Sequence, residues 1–121
     1  MATGFGGFAD REATFSAEYP RVTITVDAHD HGHTVTLSGE MDFANADGLL
    51  ETMANIPLDG HTSVVLDLTG LTFCDASAVS ALVRTHHYVR DAGGRLTVTG
   101  ASGTPRRVLT LTGVDRLLSS H

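Results

Sequence analysis

The 121 residues, 41% of them hydrophobic, suffice for one small core and not for two. Fourteen acidic residues against eight basic ones, all arginine, leave a formal charge of −6 at pH 7, and an acidic chain with no basic cluster suits neither nucleic acid nor an anionic membrane surface. The apolar runs are too short to span a bilayer, the start has neither the basic residues nor the hydrophobic stretch expected of a signal peptide, and the single cysteine, Cys74, rules out an internal disulfide, so a cytoplasmic setting is expected.

In chain order, residues 1–19 are glycine-rich at Gly4-Phe5-Gly6-Gly7 and lack a clear period, which reads as a flexible N-terminal segment able to dock by Phe5, Phe8 or Phe15. The domain, residues 20–121, is expected to begin near Tyr19-Pro20. Val22, Ile24 and Val26 alternate with Thr23, Thr25 and Asp27, and Val35 with Leu37 alternate again after the polar stretch 28–33, so two strands form a hairpin. Phe43, Ala46, Leu49, Leu50 and Met53 follow helical spacing up to Pro57-Leu58-Asp59-Gly60. Ser63 to Leu68, apolar except for its first residue and Asp67, predicts a buried strand. From Ala76 the period changes, and Val79, Leu82, Val83, His86 and Val89 stripe a helix that Gly93-Gly94 ends. A strand follows over Arg95 to Thr99. Thr104-Pro105 then opens a helix closed by Gly113, with a short turn from Asp115 to Leu118.

This succession predicts an α/β domain with two crossover connections. Because most strands alternate rather than run apolar throughout, the sheet should be small and mixed, an N-terminal hairpin plus parallel strands, with helices mainly on one face. The strands ending near Gly39 and Leu68 each lead into a crossover helix and should be parallel. Their exit loops then share one edge, which puts Asp42 and Ser77 on one rim, where open α/β sheets tend to bind ligands.

The turn from Leu68 into the helix at Ala76 is the most informative stretch. The first backbone N–H groups of a helix lack internal partners and its dipole is positive there, so a side-chain oxygen or a phosphate is favoured. Asp75 or Ser77 can supply the cap, and taken alone Ser77 would be such a cap, contributing about 1 kcal/mol.

The surrounding pattern moves the reading further. The run from Asp67 through Leu71-Thr72-Phe73-Cys74-Asp75-Ala76-Ser77-Ala78 to Leu82 resembles the signature of STAS domains, specifically of bacterial anti-sigma factor antagonists. Gly39-Glu40-Met41-Asp42 resembles the family's second recurring motif, and Arg107-Val108-Leu109 with Leu111-Thr112-Gly113-Val114 its C-terminal one. The resemblance implies a switch without catalysis and without a cofactor. The antagonist would bind an anti-sigma factor that is also a serine kinase, phosphorylation of the motif serine would break the complex, and a serine phosphatase would restore it. The motif serine aligns with Ser77, and Asp42, Asp75, Ala76 and Ala78 align with partner-binding positions around it. Two departures from the family are visible: Ala76 replaces a frequent second hydroxyl residue, and Ala78 replaces a usual glycine, adding a methyl beside the acceptor.

The other polar clusters read as structure. Cys74 is expected to pack in the loop, since Asp75 opposes a thiolate there. His29, His31 and His33 fall in a solvated turn rather than a metal site, and His86-His87 predict one packed and one exposed ring. Gly100 to Pro105 lacks the lysine of a phosphate loop and reads as a turn, and no catalytic set is apparent. An alternative function keeps the fold and changes the role, to that of a non-catalytic STAS scaffold subunit in a stress-signalling or lipid-transport complex. A nucleotide-binding domain is a weaker third reading.

Overall fold

Alternation of apolar and threonine residues builds the sheet. The computed structural model describes residues 14–30, 32–60 and 62–119. The chain runs β1 (Thr14–Tyr19), β2 (Val22–His29), β3 (Gly32–Met41), α1 (Asp47–Met53), β4 (Ser63–Cys74), α2 (Ala76–Asp91), β5 (Arg95–Thr99), α3 (Gly103–Thr112) and α4 (Val114–Ser119). The strands lie in that order in one five-stranded sheet, antiparallel from β1 to β3 and parallel from β3 to β5. The expected small mixed sheet is therefore present.

One face of the sheet is apolar and carries the helices. Val22, Ile24, Val26, Val35, Leu37, Val64, Leu66 and Leu96 form a single buried cluster with Leu49 of α1, Leu82 of α2, Leu109 of α3 and Leu118 of α4. Between them, Thr23, Thr25, Thr34, Thr36 and Val65 point the other way and stay half-buried. Eliminating water from the apolar face is the main drive for this arrangement, at about 25 cal/mol per Å². Among the described residues no helix is long and apolar enough to cross a membrane.

Three elements differ from the sequence expectation. The flexible segment expected over residues 1–19 gives way at Thr14 to β1, which pairs with β2 from Thr14 opposite Asp27 to Tyr19 opposite Val22; Phe5 and Phe8 lie outside the described residues. Phe15, Ala17 and Tyr19 alternate toward the helix side, but at a sheet edge Phe15 stays 40% exposed and no strong apolar period results. The central strand also continues past Leu68 to Cys74. Register shifts between Thr36 and Ser38 and between Gly39 and Glu40 set extra β4 residues against β3, so Leu68, Leu71 and Cys74 are buried at a spacing of three that no regular strand shows. Third, the stretch expected as a short turn from Asp115 to Leu118 is helical in α4.

The hairpin turn at Pro20-Arg21 packs against the exit of β3. The Glu40 N–H donates to the Arg21 carbonyl at 2.7 Å. Gly39, at φ +110°, lets that carbonyl approach to where a Cβ would lie only 2.2 Å from its oxygen. Tyr19 reaches α1, where Gly48 leaves room for its ring.

Two histidines hold buried, unpartnered nitrogens. His86 is only 2% exposed; its Nδ1 and that of His33 are buried without a hydrogen-bond partner. Burial, reinforced by Arg90 and His87, pushes His86 below the usual imidazole range, and burial with nearby His29 does the same to His33. A depressed folded pKa means that below the unfolded value, about 6.5, the unfolded chain takes up protons the folded chain does not, so stability falls as pH falls. The urea midpoint should therefore be lower at about pH 5.5 than at about pH 7.5, and His86→Leu should shrink the difference. Equal wild-type midpoints at the two pH values would contradict this.

Candidate functional site

Parallel pairing brings two loops together. Met41, the last residue of β3, lies opposite Cys74, the last of β4, so Asp42 and Asp75 leave the sheet side by side. Asp75 is the N-cap of α2, with extended backbone, and its Oδ1 accepts the Ala78 N–H at 3.0 Å. Its Oδ2 accepts the Phe43 N–H of the neighbouring loop at 3.2 Å. One carboxylate thus satisfies a free N–H at the helix start and ties the β3–α1 loop to the β4–α2 loop.

Asp42 is equally occupied. The Arg21 guanidinium donates to its Oδ2 through both Nη2 and Nε, the latter at 3.2 Å, and the Ala44 N–H donates to its Oδ1 at 3.0 Å. The Arg21 hydrogen bond, with help from backbone donors, holds the Asp42 carboxyl below the usual carboxylate range. Neither acid presents an idle charge to a partner; both hold the rim together.

With the cap supplied by Asp75, the Ser77 hydroxyl is free of that duty. Ser77 is half-buried in the first turn of α2, and no group among the described residues hydrogen-bonds to its Oγ. It lines an open cleft of about 420 Å³ with Phe43, Ala46, Asp47, Ala76, Ser80 and Arg84. A hydroxyl at a helix start lies where the positive end of the dipole favours negative charge. Among the described residues, the cleft lining contains no histidine to take the hydroxyl proton.

The residues expected around Ser77 separate into two groups. Asp42, Asp75 and Ala76 reach the rim, Ala76 exposed at the cleft. Ala78, expected among the partner-binding residues, is corrected: it is 0% exposed and belongs to the core cluster, so its methyl has no surface to offer a partner. The helix start turns that position inward, beneath the cap whose hydrogen bond its own N–H donates. Cys74 is also buried, its thiol pushed up by burial and by the charge of Asp75.

Three rim residues escape a reading of the sequence. Phe43 fits a helical stripe by spacing, yet it precedes α1 in a turn and is 81% exposed. Asn45, 2% exposed, donates from Nδ2 to the carbonyls of Pro20 at 2.6 Å and Glu40 at 2.9 Å, while its Oδ1 accepts the Asp42 N–H at 2.9 Å. Arg21, at φ 69°, holds Asp42 from the hairpin turn. Only the Asp-x-x-Asn spacing of Asp42 and Asn45 hints at such a turn.

The STAS domain model matches residues 23–121. A curated relative, the anti-sigma-F factor antagonist RsfB of Mycobacterium tuberculosis (strain H37Rv), is 25% identical over 95 residues, 78% of this chain and 77% of that protein. Among solved structures, an anti-sigma factor antagonist from Mycobacterium paratuberculosis superposes with a TM-score of 0.62 at 24% identity over 80% of this chain and 82% of that one. The anti-sigma factor antagonist SpoIIAA in its unphosphorylated form gives 0.64 at 16% identity over 77% and 83% of the two chains. The murine Solute Carrier 26 family member A9 anion transporter gives 0.65 at 19% identity over 87% of this chain but 19% of its own. The structural likenesses share the fold.

The rim's internal bonds set two expected costs. Asp75→Ala should destabilise the chain by about 1–2 kcal/mol and Asp75→Asn by less, because the amide oxygen still caps. Asn45→Ala should cost about 2–3 kcal/mol, since it strands three backbone groups. Urea unfolding measures both, and an Asn45→Ala chain as stable as wild type would contradict the assignment.

Proposed function

This chain belongs to the STAS domain family, and we propose on that premise that it is an anti-sigma factor antagonist whose partner is an anti-sigma factor with serine kinase activity. Phosphorylation of Ser77 by that partner ends the complex, and a serine phosphatase restores the binding form. The observation that carries this reading is the unbonded, half-buried hydroxyl of Ser77 on the rim where Asp75 has taken the cap. The relative named an anti-sigma-F factor antagonist, matched over most of both chains, supports the same direction.

The chemistry divides between the two proteins. The Ser77 oxygen attacks the γ-phosphorus of ATP held by the kinase, the bond to the bridging oxygen breaks, ADP leaves, and the hydroxyl proton passes to a base of the partner. This chain supplies the presented hydroxyl, a helix end that tolerates the product, and a rim rigid enough to dock. Phe43 is the apolar anchor of that rim. Its ring stands in solvent while its N–H is held by Asp75, so it offers contact area at little cost in ordering.

The switch works by desolvation. A partner surface shaped to a neutral hydroxyl meets, after transfer, about −1.5 to −2 charges and three strong acceptor oxygens. Burying such a charge without a matched cation costs several kcal/mol.

Calorimetry with the cognate anti-sigma factor tests the reading. Ser77→Ala should bind within about threefold of wild type, Ser77→Asp about tenfold or more weakly, and Phe43→Ala about tenfold more weakly while changing stability by less than about 0.5 kcal/mol. A Ser77→Asp chain binding as tightly as wild type would refute the charge mechanism.

A further inference from the structure

The cleft beside Ser77 contains its own cation. Ser77, Ser80 and Arg84 all lie on α2 and all line the cleft, together with Asp47 of α1. A spacing of seven residues is two helical turns, so Arg84 sits about 10.5 Å along the axis from Ser77 on nearly the same face. Helical side chains lean toward the N-terminus. The direction this favours for the long arginine stem is back over Ser80, toward Ser77.

Arg84 is held by a weak partner. Its Nη2 donates to Asp47 Oδ1 at 3.2 Å, and the two side chains are 51% and 82% exposed. Such an exposed pair is held loosely and exchanges readily when a better acceptor arrives. Arg84 is the one basic side chain among the described residues lining the cleft. A phosphoserine dianion offers more charge than a carboxylate, and oxygen geometry that suits the guanidinium fork.

We propose that Arg84 is the phosphate-holding residue of the modified form: a phosphate on Ser77 draws the guanidinium away from Asp47 and is clamped between it and the start of α2. This rests on reading Ser77 as the modified residue. Phosphorylation then changes the rim twice. It adds charge, and it unties α1 from α2 at the cleft by releasing Asp47. The Ser77→Asp change, shorter and singly charged, reproduces the first effect without the second.

The test installs phosphoserine at position 77 during translation, so that no kinase is needed, and follows its second ionisation by phosphorus NMR. The free group titrates near about pH 6. With Arg84 in contact the wild-type value should lie below that of Arg84→Gln by about 0.3–0.7 pH unit, the strength of an exposed ion pair. Asp47→Asn should lower it further by removing the competitor, and high salt should shrink the gap. Identical titration of wild type and Arg84→Gln would overturn the clamp, and an Asp47→Asn value equal to wild type would overturn the exchange. Mass spectrometry after incubation with the partner kinase stands apart: no phosphate on Ser77 would refute the proposed function and leave the titration result as it is.

Discussion

The division of the Asp75 carboxylate between the Ala78 N–H and the Phe43 N–H is the interaction on which the rim depends. It is available only because two parallel strands end level with each other, Met41 against Cys74, which places an acid of one loop within reach of the backbone of the next. A carboxylate that caps a helix and bridges two loops leaves neither loop free to drift. It also relieves Ser77 of capping, so a hydroxyl that a helix start would ordinarily bind to itself is left facing the cleft.

The rim's acidity is deceptive in its consequences. Asp42 is held by Arg21 and by backbone donors, and Asp75 by two N–H groups, so the acids next to Ser77 act as structural ties. The mobile electrostatics lie one step away, in the exposed pair of Arg84 and Asp47. Charge added at Ser77 therefore enters a site whose fixed groups are satisfied and whose one loosely paired cation lines the same cleft. The apolar ring of Phe43 stands beside it, so contact area and charge change are neighbours on one surface.

Local periodicity carried much of the fold. The alternation at Val22, Ile24 and Val26, the stripe of Val79, Leu82, His86 and Val89, and the glycine stop at Gly113 each depend on residues close in sequence, and each is present in the structure. What local pattern missed depends on partners far away in the chain. β1 is a strand because β2 lies alongside it, and the last half of β4 remains a strand through register shifts that disrupt its own period. At the rim, Asp42, Asp75 and Ser77 were legible as chemistry at strand exits. Asn45 was not, because its value lies in three backbone groups, one in the hairpin turn, one at the end of β3 and one in the loop that follows it. Ala78 misled for the opposite reason: adjacency to Ser77 suggested shared exposure, whereas successive helical positions point about 100° apart and its methyl falls into the core.

The most direct measurement is the site of phosphate after incubation with the cognate anti-sigma kinase and ATP, located by fragmentation mass spectrometry of the peptide that contains Ser77. The account predicts a single phosphate, on Ser77. Phosphate on Ser80 or Thr72 instead, or none with Ser77 left bare, would contradict it.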